Sequence, residues 1–401
     1  MKSRMRLSLP AAVLSLALAP NAWASTIWYV NGVNGSDGDS CTAPASACKT
    51  IAHVITRASS GDSIMVAAAA YSENLTIGTS LTLVGSSAAT TIIDGGRRGT
   101  VVVISNATAH VTLSQFTIQN GHARYGGGIT NTGTLRIISS IVSNNQASPP
   151  SSCILGCNAF GGGIWNTGTL TISNSTIRGN TTSTSGFRTG VTGGGVFNSG
   201  TLTINNSTIS GNSAKALTTY EGAYGGGIGN SGTLIVNNST ITGNTVNVAV
   251  FASGGGGIYN QANLTISNST LSANSAPLGA GIDTLQSATV QNTIFANNTG
   301  GNCSGGMTSH GYNLSSDSTC NFSDRGDLND TDPKLGTLGY YGGPTQTIPL
   351  LSGSPAIDAG NPNGCTDAVG NLLKTDQRGM PRPDHEDTGG CDLGAYESQS
   401  D

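Results

Sequence analysis

The chain has 401 residues, of which 9% are charged, 5% are aromatic and 58 are glycine, and its formal net charge is −4. Glycine is about twice as frequent as the ~7% usual in soluble proteins, and the balance of charge leaves no basic stripe of the kind that tracks a phosphate backbone. Nucleic acid is therefore excluded as an expected partner, and the low charge calls for either disorder or a packed repeat.

Residues 1–24 read as a secretory signal peptide. Lys2, Arg4 and Arg6 precede an apolar run from Leu7 to Ala19, and Ala22-Trp23-Ala24 forms an A-x-A cleavage site. The mature chain is expected to begin near Ser25, to be soluble, and to be secreted or held at a bacterial cell surface. No other stretch approaches the roughly 20 apolar residues that span a bilayer. Residues 25–74 read as an N-terminal cap and first strands. In them Ile51, Val54, Ile55 and Ala58 share one helical face, with Gly61 as the stop.

A repeat occupies 75–300. It reads GGGIWNTGTLTISNSTIRGN from Gly161, GGGVFNSGTLTINNSTISGN from Gly193, GGGIGNSGTLIVNNSTITGN from Gly225 and GGGIYNQANLTISNSTLSAN from Gly255. Degenerate copies start at Gly126 and Gly279, and fainter ones near Asn74 and Val111. Four apolar columns follow: Ile164 to Ile282, Leu170 to Leu264, Ile172 to Val290, and Ile177 to Phe295. Within each copy L-x-I alternates with period two, a strand pattern, and nothing has helical period. One copy cannot bury its own apolar side, but stacked copies can, because each column then meets its counterpart about 4.8 Å away. Ile258 and Ile282 are 24 residues apart, one turn of a three-sided coil. Longer steps are the same coil with an insertion, and about eight coils are expected.

Asparagine forms columns of its own, starting at Asn166, Asn174 and Asn180. They fall where strands end and are expected to turn the chain and to hydrogen-bond their equals above and below. The N-S-T triplets in them are glycosylation sequons only by coincidence with the turn. Eight cysteines in an exported chain favour disulfides over a metal or redox site. They lie in local couples, Cys41/Cys48, Cys153/Cys157, Cys303/Cys320 and Cys365/Cys391, one choice among the 105 connectivities open to eight cysteines.

These GGGIxN…LTISNSTIxGN repeats resemble those of right-handed parallel β-helix proteins related to pectate lyases and to polymorphic outer-membrane-protein repeats. The opening WYVNGVNGSDGDSC…CKTIAHVITRASSGDSIMVAAAAYSENLTI is similar to the first segment of many such proteins, and the helix then caps the first coil. The resemblance implies an all-β, right-handed parallel β-helix solenoid with an N-terminal capping helix and a small C-terminal domain. Residues 301–331 are expected to form a linker or final coil with a disulfide. From 332 to 401, DPKLGTLGYYGGPTQTIPLLSGSPAIDAGN and TDQRGMPRPDHEDTGGCDLGAYES resemble the choice-of-anchor Q domain of bacterial surface and secreted β-helix proteins, here without an LPXTG-like motif or hydrophobic tail.

Few residues of the repeat region carry the marks of catalysis. Glycosidases flank the scissile bond with two carboxylates, yet between Gly95 and Asn302 there are only Glu221 and Asp283, about two coils apart. His122, Arg124, Arg188 and Lys215 are candidate bases for a lyase and equally candidate solvated charges. Binding is carried by two other features. Insertions at 146–160, 181–192, 213–224 and 245–254 leave the same corner of successive coils and form a wall. Beside it, the outward column Thr130, Trp165, Phe197, Gly229, Tyr259, Asp283 offers Trp165, Phe197 and Tyr259 either as an exposed strip for stacking sugar rings, or as rings that stack on one another to protect the sheet or lie under the loops.

Near the end, Asp324, Asp327, Asp330 and Asp332 have a spacing that could wrap Ca²⁺, although Asp also marks turns. Calcium is the one cofactor these residues suggest. Asp358, Asp376, Arg378, Asp392 and Glu397 are expected in turns and in a buried Asp–Arg pair. The sequence thus points to a monomeric, non-catalytic, adhesin-like or polysaccharide-binding protein with an extracellular or host glycan as partner. A polysaccharide lyase or glycoside hydrolase is the alternative.

Overall fold

The computed structural model describes residues 25–150, 152–153, 156–184, 190–216, 222–248, 253–385 and 390–399. The signal-peptide segment 1–24, Arg188 and Glu221 lie outside the described residues.

The chain winds into a parallel β-helix. Among the described residues the strand pairs of the coils are parallel, and the repeats stack in register, as in Leu170↔Leu202, Leu202↔Leu234 and Leu234↔Leu264. An 18-stranded sheet forms the long face. It combines the I-x-N strands, such as Ile164–Asn166, with the L-x-I strands, such as Thr169–Ser173, and the two ladders merge in Ile282–Gln291. A 10-stranded sheet of T-I-x strands, such as Thr176–Arg178, forms the flank. The columns read from the sequence line one continuous core: Ile164, Leu170, Ile172 and Ile177 and their equivalents are 0–3% exposed. The flank has ten strands where about eight coils were expected. The two additional rungs, Ala69–Tyr71 at the start and Leu314–Ser315 at the end, lack the repeat and are recognisable only by what they stack on.

The three asparagine columns divide their work. Asn174, Asn206, Asn238, Asn268 and Asn292 take φ between 48° and 51°, the left-handed turn that Asn tolerates. The other two are buried ladders. Asn131, Asn166, Asn198, Asn230 and Asn260 each pass a side-chain hydrogen bond to the next at 2.7–2.8 Å, ending on Thr284 at 3.0 Å. A second ladder runs from Asn145 through Asn180, Asn212, Asn244 and Asn274 to Asn298 at 3.0 Å per step. The serine of N-S-T adds a third, with Ser175 N donating to Ser207 Oγ and Ser207 N to Ser239 Oγ. Buried turns are thereby supplied with partners that no strand can give them.

The helix Ile51–Arg57 closes the first coil with Ile51 and Val54 fully buried. It stops before Gly61 because Ala58 is already extended. Two carboxylates cap its start: Asp37 accepts from Lys49 N and Thr50 N, and Glu73 from Ile51 N and Ala52 N. At the far end Phe322 packs on Phe295, their rings 5.7 Å apart. The disulfides join Cys41–Cys48, Cys153–Cys157, Cys303–Cys320 and Cys365–Cys391. Proximity in sequence selects these pairs because each closes a local turn.

The segment after Asp332 lies along the flank. Gln377 donates to Thr208 Oγ1 at 3.0 Å and accepts from Thr240 Oγ1 at 2.7 Å, while Ala395 N donates to Thr270 Oγ1 at 3.1 Å. The left-handed asparagines reach it too: Asn268 donates to Thr366 O, and Arg382 donates to Asn238 Oδ1. Its interior holds two ion pairs, Arg378–Asp376 at 2.7 Å and Arg382–Glu397 at 2.6 Å. Among the described residues no helix is long and apolar enough to cross a membrane.

Candidate functional site

Among the described residues, the four insertions contribute short strands. The outgoing ones, including Thr181–Thr184, Ser213–Ala216 and Thr245–Val248, stack into a five-stranded sheet. The returning ones, Ala159–Phe160, Gly190–Thr192 and Gly222–Tyr224, stack into a three-stranded sheet. Between them lies a separate apolar core of Ala147, Ala159, Val191, Ala214, Ala223 and Val246. The wall is thus a fin projecting from the β-helix. Its signal in the sequence is a period-two alternation of small apolar residues, as in SAKA and TVNV, hidden because alanine scarcely stands out from the polar residues around it.

A seam forms where the returning strands meet the long face. The last residue before each GGG (Tyr125, Phe160, Thr192, Tyr224, Gly254) turns toward the outward residue one coil further on. Tyr125 stacks on Trp165 at 5.2 Å and Phe160 on Phe197 at 4.5 Å, while Tyr224 meets Tyr259 at 4.6 Å with the rings tilted by 32°. Tyr125 also stacks on Phe160 at 5.8 Å, so Trp165, Tyr125, Phe160 and Phe197 make one continuous pile. Small residues face each other where space is short. A Cβ on Gly229 would come within 2.2 Å of Thr192 Cγ2, and one on Gly254 within 1.9 Å of Asp283 Oδ2.

This geometry corrects the picture of an open strip. Trp165 and Phe197 are half-buried, Tyr259 is 7% exposed, and Gly229 interrupts the row. The returning strands cause this by laying their own rings over the column. Tyr125, Phe160 and Tyr224 were therefore missed as members of the site. Their common position before GGG was the available signal. All three, with Trp165 and Phe197, keep part of their surface in solvent.

Asp283 closes the column on the coil side. Burial pushes its carboxyl above the ordinary range, against a hydrogen bond from Ser304. Tyr259, its neighbour in register, is likewise raised by burial. The candidate bases are scattered. His122 contacts Ser148 Oγ at 2.7 Å, and Arg124 donates to Asn158 O while lying 4.9 Å from the Tyr125 ring centre. Lys215 sits in the fin strand Ser213–Ala216.

The four aspartates proposed for calcium serve local turns. Asp327 accepts from Asn313 N, Ser309 Oγ and Asp324 N. Asp324 accepts from Arg325 N, Asp332 accepts from Lys334 N, and Asp330 is an exposed turn residue with φ 50°. No three of these carboxylates converge. Among the described residues the set of side chains close enough to share an ion is Cys41, Cys48 and His53, where the two sulfurs are already bonded to each other. In the terminal segment Asp376 pairs with Arg378, Glu397 with Arg382, and Asp392 accepts from Asp358 N and Ser398 N.

No family model matches the chain, and no curated protein matches it. Among solved structures it is similar to pectate lyase Pel9A, at 16% identity and a TM-score of 0.48, covering 93% of this chain and 97% of that one. It is also similar to the pectin methylesterase from Aspergillus niger, at 14% identity and a TM-score of 0.32, covering 72% and 86%. The assignment as a parallel β-helix rests on this chain's own strand ladders.

Proposed function

We propose that the chain is an exported β-helix that holds an extracellular polysaccharide along the aromatic seam. The observation that carries this reading is the pile Trp165–Tyr125–Phe160–Phe197, four rings held by two rigid sheets yet still partly in solvent. Sugar rings lay their apolar faces on such surfaces, and a rigid scaffold lowers the entropy lost on binding. Affinity electrophoresis in gels containing neutral and acidic polysaccharides tests it. The Trp165→Ala/Phe197→Ala variant is expected to lose retardation, and unchanged retardation would remove the seam from the account.

Cleavage at the same seam, by a polysaccharide lyase or glycoside hydrolase, is the second reading. One observation favours it: Asp283 is a nearly buried carboxyl beside Tyr259 at the end of the seam, and burial shifts it upward, the direction in which a general acid is tuned. Unsaturated-product absorbance and reducing-end assays separate turnover from binding alone. The proposed organisation is a cap and first strands at 25–74, the β-helix at 75–300, a linker or final coil at 301–331 and a choice-of-anchor Q-like unit at 332–401, in a protein that is secreted or held at the cell surface. Fractionation of cells into attached and released protein tests that placement.

A further inference from the structure

The flank is covered in two places and open between them. One column of it runs in register through Thr117, Ile141, Thr176, Thr208 and Thr240. On one side the loop before the strand Thr91–Asp94 lies over the column, with Thr117 Oγ1 donating to Ala88 O at 2.6 Å. On the other the terminal segment covers it, with Thr208 Oγ1 donating to Gln346 O at 2.5 Å. These two rungs are three steps apart, about 14 Å at the spacing of paired strands, and Ile141 and Thr176 lie between them.

The gap is a slot of about 370 Å³. Ser139, Ile141, Asn174 and Thr176 line it from the flank, Ala88 from the loop and Tyr340 from the terminal segment. Tyr340 is 68% exposed, and none of the lining residues is charged. Asn174 and Thr176 hold the places that Asn206 and Thr208 hold one coil on. Among the described residues, however, neither side chain has a hydrogen-bond partner within the chain.

Where the flank is covered, its donors reach amide carbonyls. Thr117 and Thr208 do so as above, Asn238 donates to Thr375 O, Asn268 to Thr366 O and Asn292 to Asp392 O. We infer that the slot is a docking site for an extended, uncharged peptide segment of a partner protein. Two of its backbone carbonyls accept from Asn174 Nδ2 and Thr176 Oγ1, and an apolar side chain lies against the Tyr340 ring. The interface that the terminal segment makes with Asn206 and Thr208 is thereby continued by one coil, whereas a sugar has no counterpart on this surface. A charged side chain would give up water and find no counter-charge among the lining residues. The site uses no residue of the aromatic seam, so it stands or falls apart from the glycan reading.

The probe is the fluorescein-labelled peptide GGPTQTIP, a copy of residues 342–349. In the structure this stretch covers the equivalent rung, where Thr345 Oγ1 donates to Asn206 O and Gln346 O accepts from Thr208. Fluorescence anisotropy on titration with the mature chain is expected to show saturable binding. Asn174→Asp/Thr176→Val puts an acceptor and a methyl where two donors stood, and is expected to weaken binding about tenfold or more. Asp tolerates the left-handed turn and neither side chain has a partner to lose, so this variant is expected to melt as wild type does. Tyr340→Ala, at an exposed position, is also expected to weaken binding and decides the matter should the double variant fail to fold. Absence of binding to wild type, or equal binding to wild type and both variants, overturns the proposal. Displacement of the peptide by cellohexaose would assign the slot to a glycan and overturns it as well.

Discussion

Asp62 ties two separate stretches of chain together. Its carboxylate accepts from Thr26 N, from Trp28 Nε1 and from Ser59 N, at 2.7–2.8 Å each. Burial acts to raise this carboxyl, but the hydrogen bonds from Trp28, Ser59 and Thr26 outweigh it and hold the group below the ordinary range. The folded value therefore lies under the unfolded one, and the proton binds more readily to the unfolded chain. The stability from Asp62 is complete above the ordinary carboxylate range and is lost as pH falls through the depressed folded value. Asp62→Asn is expected to lower stability at pH 7 by about 1.5–3 kcal/mol and to flatten part of the acid limb. Thermal melts between about pH 7 and pH 2.5, read by tryptophan fluorescence, check this; an acid limb unchanged in the variant would show that Asp62 contributes nothing to it. The asparagine ladders act at the same scale with no pH dependence. Asn198 accepts from Asn166 and donates to Gly200 O, Asn230 Oδ1 and Thr233 O while fully buried, so its replacement strands partners on both neighbouring coils.

Among the elements, the GGG corner sets how closely coils approach. The first glycine takes a left-handed conformation, as at Gly193 with φ 73°, and the second has no room for a side chain. A Cβ at Gly194 would lie 2.3 Å from Gly226 O and 2.5 Å from Ser213 O, both backbone atoms fixed by the ladder. Gly194→Ala is expected to destabilise by more than about 3 kcal/mol, since the coil spacing must open to admit it. Gly190 in the fin offers the control. A Cβ there meets nothing nearer than 3.6 Å, so Gly190→Ala should change stability by less than about 0.5 kcal/mol. Urea denaturation of the two variants checks the contrast; equal losses would mean that glycine is needed for the conformation of the strand and not for contact between coils. The fin shows the reverse case, in which an element is hard to see in advance. Its core is alanine and valine, residues too small to mark a strand against threonine and serine.

For the whole molecule, the terminal segment is part of the β-helix surface. Its ion pair Arg382–Glu397 has both side chains at 0% exposure, and Arg382 also reaches Asn238 on the flank. Removing one partner leaves a buried charge, so Arg382→Ala is expected to cost about 3–5 kcal/mol, whereas Arg382→Met/Glu397→Leu should recover much of that loss. Denaturation midpoints of the single and double variants check it; a double variant as unstable as the single would locate the effect in packing instead of charge.

The sequence by itself determined the coil. Apolar columns such as Leu170, Leu202, Leu234 and Leu264 recur at fixed spacing, and a column that must be buried can be buried here in only one way, by stacking on its copies. The helix cap, the local disulfides and the turn role of asparagine follow from similarly short-range chemistry. Only the tertiary structure decided what the surfaces became. Whether Trp165, Phe197 and Tyr259 lie open depends on Tyr125, Phe160 and Tyr224 arriving from returning strands of the fin. How closely Asp283 is packed depends on which residue faces it across the seam, and that residue is Gly254. Cores are periodic and can be read along the chain, whereas sites are made where separate segments meet, and their distances are fixed only when the coils are wound.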